Sequence, residues 1–520
     1  MVSDLLKGRL YHHGITFADH IDPPNTDGLV LVIPGRYWYD RTAELTESLK
    51  RFRWVLAIRT GDEEDLLDPT LVVHPNIRWW VQTPRADRDY GDARLFGVGY
   101  SPAFRALVDQ PSAPVMERDA FLSAQDNHAR RGDFFARLQA AELITGLIQP
   151  TSGFTEGMEP WDYVSAMTTS KAALAPSGPY TPDTFRAYEA LESHTVPVVD
   201  DVSTHNPDPG YWRKLFPDAP FPIVTDLDDL VGYTLDVVDD YPRIHNRVAA
   251  WWMRRKADLS LCLRDDLESL GVPIPAPQPV TIVVPTSPIP SHPSTDILDE
   301  TLGSIRHHFP TAKIVLTFDG VRPEQEARRA DYYDYIRRAL WRADHHWGNV
   351  IPVIFDHHLH QAEMMRWALD EVDTPLVLYV EHDTPLVTDW DIDWDKITGL
   401  VMSGDFYSIR LYHEAVVPEP HLGLMRGRRG DILKTSQWSQ RPHLTTAAFY
   451  RRLIADHFGV GEKAFIEDRM HGVVECAVRE DGDFGWDQWR LGIYAPEDGR
   501  NNFKRSYHLD GRAGQDNYFP

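Results

Sequence analysis

Short apolar runs recur along the chain, separated by stretches with helical spacing. In the first half, 29–33, 54–58 and 77–81 are nearly continuous in apolar residues. Runs of this length predict strands covered on both faces, as in a parallel sheet. Residues 42–49 carry helical spacing between the first two. A second set of strands is predicted at 120–123, 172–175, 196–199 and 221–224. Helices are predicted over 132–143, 161–168 and 183–191, the last with Pro182 before it and Asp183 as its N-cap. Residues 241–270 predict one long helix, striped by Ile244, Val248, Trp252, Leu259 and Leu263.

Four prolines then fall within 271–279, a stiff extended stretch. It divides the chain into an expected domain at 1–272, a linker at 273–279 and a second domain at 280–520. Alternation restarts after it. Strands are predicted at 280–284, 313–318, 350–355 and 376–380, and helices at 295–308, 323–343 and 361–370. Beyond 383 the alternation is lost, and loops, short strands and polar turns are expected. Strands alternating with helices predict an α/β fold with parallel sheets.

Composition narrows this little. The 520 residues are enough for two or three domains. A net charge of −25 disfavours a broad nucleic-acid footprint. Only Cys262 and Cys476 occur, so no disulfide framework is readable. The polar lead-in over 1–27 lacks the apolar core of a secretory signal, and no run reaches the roughly 20 apolar residues of a membrane span. A cytoplasmic protein is expected, and the preference for arginine over lysine fits a bacterial or phage gene. Oligomeric state is not readable.

The strand at 376–380 runs into Glu381-His382-Asp383. Carboxylates at the C-terminal end of a buried strand stand where open α/β sheets place ligands. They suit a hard divalent cation whose shell is completed by phosphate oxygens. The earlier strands end in Pro285-Thr286-Ser287 and Asp319-Gly320, and Glu467-Asp468 follows downstream. This order, over roughly 279–510, resembles the GT-A nucleotide-sugar glycosyltransferases of the DxD type. The resemblance implies that Thr286 and Asp319 hold the nucleoside. It implies that Glu381 and Asp383 bind Mn2+ or Mg2+ against the diphosphate, with His508 completing the metal site. In an inverting enzyme Asp468, or else Glu467, would take the proton of the acceptor hydroxyl. Trp438 would stack on a sugar, and Arg441 and His443 would touch phosphate or acceptor. Arg410, Arg426, Arg428 and Arg429 read either as diphosphate contacts or as a solvated basic loop.

Pro176-Ser177-Gly178, Arg186, Glu189 and Val196-Pro197-Val198 resemble the exostosin-type GT-B glycosyltransferases. That resemblance implies a GT-B-like pair of Rossmann-like units. In it Ser177, Gly178, Arg186 and Glu189 meet the donor nucleotide, and Arg130 and Arg131 neutralise phosphate without metal. His194, where the pattern has a small residue, is expected to narrow that pocket. Together the two resemblances imply a transferase using a UDP-sugar, bifunctional if the first half is a second, metal-independent site, the alternative for that half being a structural or acceptor-binding GT-B relic. Its acceptor would be a glycan, a virion or cell-surface protein, or a modified DNA base. A metal-dependent nucleotidyltransferase and a carbohydrate-binding scaffold with inactive sites are the other classes open to this sequence.

Overall fold

The computed structural model describes residues 15–17, 27–141, 144–153, 157–274, 276–499 and 502–509. Most of the polar lead-in, Leu143, Pro275 of the linker, Asp510 and the tail beyond it lie outside the described residues. The protein is mixed α/β with parallel, Rossmann-like sheets. Backbone contacts divide it into two units, 1–275 and 276–520.

The first unit holds two all-parallel sheets. One consists of β1 (Ile15–Phe17), β2 (Gly28–Pro34), β3 (Trp54–Thr60), β4 (Ile77–Gln82) and β5 (Arg94–Phe96), in sequence order. Sequential parallel strands joined by crossovers of one hand put the connections from β2 to β5 on one face. On that face Leu45 and Leu49, from the helix Thr42–Leu49, cover Leu29, Leu31 and Ile33. The opposite face needs a cover from elsewhere, and the helix Tyr241–Ser269 provides it. Leu259, Leu263 and Leu267 pack on Val30, Leu56 and Trp80, and Trp80 Nε1 donates to Asp266 at 2.9 Å.

The other sheet holds β6 (Arg118–Gln125), β7 (Gly146–Thr151), β8 (Ser170–Ala175), β9 (Val196–Asp200) and β10 (Ile223–Val224). Its order is β10-β9-β8-β6-β7. The first half of the same long helix, through Tyr241, Val248 and Trp252, packs against its core. One helix therefore buries apolar surface of both sheets. β1, which falls in the polar lead-in, β5 and β7 were not expected. β5 is three residues long, and β7 is an edge strand whose side chains are mostly solvated, so neither carries an apolar run.

The second unit starts with β11 (Val280–Thr286), β12 (Lys313–Phe318), β13 (Val350–Ile354) and β14 (Leu376–Tyr379). The four are parallel and ordered β13-β12-β11-β14. The region beyond 383 is more regular than its sequence suggests. It contributes β15 (Ser408–Leu411), β16 (Met425–Arg429), β17 (Ile432–Thr435), β18 (His443–Thr446) and β19 (Leu491–Tyr494). These extend the sheet to nine strands, β13-β12-β11-β14-β18-β15-β19-β17-β16. Each is four or five residues long, too short for a periodic signal, and the pairing is mostly antiparallel. Among the described residues no helix is long and apolar enough to cross a membrane.

Asp183 does not cap its helix. The helix Phe185–Glu192 starts after Thr184, and Asp183 Oδ2 accepts the Val98 N–H at 2.9 Å. This bond ties the segment after β5 to the second sheet. Burial pushes Asp183 up to about 6 from 3.8. A raised folded value means that its stabilising contribution is complete below about 3.8 and is lost as pH rises through about 6. Asp183→Asn keeps an acceptor without that titration. Urea unfolding midpoints of the variant should therefore change less between pH 4 and 7 than those of the parent. Identical pH profiles would remove Asp183 as a source of pH dependence.

Candidate functional site

In the nine-stranded sheet the chain leaves β11 toward β12 and β13, then returns to place β14 on the other side. The order reverses between β11 and β14, so the connections diverge there and leave a crevice at the strands' C-terminal ends. Thr286 comes from one wall of that crevice and Glu381-His382-Asp383 from the other. Thr286 is buried, and its Oγ1 donates to the Thr317 carbonyl at 3.0 Å. Asp319, one strand further, is saturated. Its carboxylate accepts from the N–H groups of Gly320 (2.8 Å), Leu359 (2.7 Å) and His360 (3.2 Å), and His358 Nδ1 lies 2.7 Å away. Asp319 thus pins the turn after β13 to the end of β12. No side chain fits at Gly320, where a Cβ would lie 2.1 Å from the His357 backbone.

Glu381 is half-buried, and the Gln361 Nε2 donates to it at 2.9 Å. The same amide, through Oε1, accepts the Ile466 N–H at 2.8 Å. Ile466 opens the helix Ile466–Asp481, so one side chain links the end of β14 to that helix. Glu467 is the next residue, and its Oε2 accepts the Gln440 N–H at 2.9 Å. Desolvation, reinforced by the negative charges of Asp383 and Glu467, pushes Glu381 up to about 8. Three carboxylates therefore share one neighbourhood.

His508 comes back to this site from far along the chain. Residues 505–509 lie against 383–387, with Leu509 N–H on the Asp383 carbonyl at 2.7 Å and Tyr507 N–H on Pro385 at 3.1 Å. This sets His508 Nε2 3.4 Å from Asp383 Oδ2. Asp468 is exposed, while Glu467 is half-buried and acts electrostatically on Glu381. Successive helical residues differ by about 100° in direction, so only one of the pair faces the crevice. Glu467 is the member of the pair that lies beside Glu381.

Two expectations about the acceptor side are corrected. Trp438 is 2% exposed, its Nε1 bonded to Gln440 and its ring packed against His443 and Tyr450, so it has no free face for a sugar. His443 is buried too, stacked on Tyr379 and bonded to the Arg441 carbonyl, and burial pushes it down to about 4. Arg441 does stand beside the site, within the field of Glu467. Arg428 and Arg429 are paired to Glu497 and Asp405.

In the first unit the β6–β10 sheet, read β7-β6-β8-β9-β10, reverses between β6 and β8. Arg131 sits at that point, donating to the carbonyls of Gln125 (3.0 Å) and Ser177 (2.6 Å). Arg186 donates to Ser123 at 2.6 Å, and burial together with Arg186 pushes Arg131 down to about 10. Arg130 makes a two-point pair with Asp200. Gly178 N–H closes a turn on Thr181, and Glu189 is engaged by the Tyr163 hydroxyl at 2.8 Å. His194 precedes β9, whereas Asp200 ends it, so His194 lies at the strand end away from the crevice and does not narrow it. The β1–β5 sheet has no reversal and no such crevice.

Gln361 and Gln440 have no motif around them, and only the folded arrangement brings them to the acids.

No family model matches this chain, and no curated protein matches it in sequence. Among solved structures it is similar to S. aureus TarS. For TarS 1–349 the identity is 12%, the TM-score 0.28, and the match covers 44% of this chain and 60% of that one. For the complex of TarS 1–349 with UDP-GlcNAc the values are 12%, 0.28, 45% and 59%. The match spans 36% of the longer TarS structure. The fold described above rests on strand order and not on this likeness.

Gly320→Ala tests the role of Asp319. The added methyl must displace the turn at 357–358, and the second unit should lose about 1–3 kcal/mol in chemical denaturation. Unchanged stability would show that the turn moves freely.

Proposed function

We propose that the second unit is a metal-dependent glycosyltransferase, moving a sugar from a nucleotide-sugar, foremost a UDP-sugar, to an acceptor hydroxyl. The observation that carries this reading is the gathering of Glu381, Asp383 and Glu467 at the crevice of an open parallel sheet, with His508 folded back onto Asp383. Asp383, Glu381 and His508 would hold the cation, and their oxygen and nitrogen donors suit Mn2+ or Mg2+. The donor set fits such an ion, because Glu381 is held above its ordinary range by burial and by neighbouring acids whose charge a cation offsets. When bound, the cation stabilises the charge that develops on the departing diphosphate.

The chain's own residues do the rest. Thr286 and Asp319 shape the nucleoside side of the crevice. In an inverting transfer the acceptor oxygen bonds to the anomeric carbon as that carbon's bond to the diphosphate oxygen breaks. The electron pair leaves with the nucleoside diphosphate, and Glu467 takes the acceptor proton. Gln361 positions both ends of this machinery, since it holds Glu381 and the first turn bearing Glu467.

A second reading concerns the first unit. Its crevice between β6 and β8 holds Arg131, Arg186 and Ser177, and the buried Arg131 Nε and Ser177 Oγ have no partner. These donors support a metal-free nucleotide site, and hence a bifunctional enzyme. The acceptor is a glycan or protein ahead of a nucleobase, given the net charge of −25. A bacterial or phage cytoplasm belongs to the same reading.

Asp383→Asn should abolish metal-dependent hydrolysis of UDP-sugars and transfer from them. Full activity in that variant would sink the assignment. Gln361→Ala should lower Mn2+ affinity or activity about 10–100-fold, measured by titration calorimetry and turnover. For the first unit, Arg186→Gln should weaken nucleotide binding measured in chelator by tenfold or more. Equal binding in parent and variant would leave that crevice without a nucleotide role.

A further inference from the structure

Beside the three acids lies a cluster of the opposite charge. β18 pairs antiparallel with β14 on one side and β15 on the other, with Tyr379, His443 and Arg410 in one row. Glu381 follows β14, Tyr412 follows β15 and Arg441 precedes β18, so all three leave the sheet at the same rim.

Arg410 is 4% exposed. Its side chain makes one hydrogen bond, NH2 to the neutral Gln437 Oε1 at 2.6 Å, and its Nε has no partner. Among the described residues no carboxylate pairs with it. The Arg441 guanidinium lies 5.3 Å from the Tyr412 ring centroid and that of Arg410 lies 5.6 Å from it. Arg441 has Glu414 at 4.0 Å, a loose and half-exposed pair. Arg410 lies in the positive field of Arg441; Lys504 adds to the positive side of the neighbourhood, and burial together with these cations pushes His413 down to about 3. A guanidinium has five N–H donors and a large desolvation cost, and leaving most of them unused is expensive without an anion. A chain of net charge −25 has placed two such groups together.

We propose that this cluster is an acceptor subsite for an oxyanion, so that the sugar acceptor carries a phosphate or carboxylate near the hydroxyl that reacts. The proposal rests on the transferase reading of the second unit. The donor's own diphosphate is the competing source of anion, but the acids that would hold its cation are Glu381 and Asp383. Arg410 and Arg441 instead lie in the field of Glu467, the group that would meet the acceptor proton. An anion seated on them also leaves Glu467 less strongly neutralised by the arginines.

The test uses the full chain, saturated with UDP and Mn2+, titrated with inorganic phosphate. The UDP-saturated protein should bind phosphate, Arg441→Gln should weaken that binding tenfold or more, and Arg441→Lys should keep part of it. UDP affinity should change less than twofold in Arg441→Gln. A paired acceptor screen, glucose against glucose 6-phosphate and glucuronate, should favour the charged members in the parent and lose that preference in the variant. Loss of UDP affinity in Arg441→Gln would assign the cluster to the donor diphosphate and overturn the proposal. So would a preference for neutral acceptors, or no phosphate binding by the UDP-saturated parent. Failure of the transferase reading itself would look different, since UDP and Mn2+ would then not bind at all.

Discussion

The constraint on which the second unit's site depends is electrostatic. Glu381, Asp383 and Glu467 carry like charges, and all three are at least half-buried. Left to themselves, buried carboxylates either separate or take up protons. Here they are held together by covalent and hydrogen-bonded geometry. Glu381 and Asp383 are fixed by their spacing at the end of β14. Glu467 is fixed by the Gln361 amide, which grips the helix start and Glu381 at once. The raised affinity of Glu381 for a proton reports its desolvation first and the repulsion from Asp383 and Glu467 second. Positive charge brought among these acids would lower that energy.

The fold sets where that repulsion can be kept. A parallel sheet buries its strands on both faces, which leaves the C-terminal strand ends as the places where polar groups gather. The reversal between β11 and β14 opens that edge, and the antiparallel β18 and β15 then bring Arg441 and Arg410 to the same rim. Opposite charges thus meet at this rim, where Arg410 and Arg441 lie in the field of Glu467. Asp319 contributes differently. With its oxygens occupied by three backbone N–H groups, it is a fixed wall and not a free ligand.

How far the sequence reveals this depends on the range of the signal. Glu381 and Asp383 stand out because they end an unbroken apolar run, and Thr286 and Asp319 because they end two more. Strands with long buried runs, such as β2, β3, β11 and β12, are legible for the same reason. β15 to β19 are not, because four or five residues cannot show a period and their pairing is set by distant partners. Burial of Trp438 and His443 is likewise invisible, since the residues that enclose them come from separate elements. The choice between Glu467 and Asp468 turns on helix rotation, which Gln361 fixes from about a hundred positions away. Gln361 itself is one polar residue at the start of a helix and has no local mark at all.

The first unit follows the same logic with a different outcome. Its β1–β5 sheet keeps strict sequential order, so no crevice opens at its strand ends, and its exposed face becomes a packing surface for the helix Tyr241–Ser269. Its β6–β10 sheet reverses once, and that single reversal coincides with Arg131, Arg186 and Ser177. Acids gather at the reversal in the second unit and arginines in the first. A group of acids needs a cation before it can hold a phosphate, whereas a group of arginines does not. Two crevices of the same topological origin therefore differ in the sign of the charge they gather.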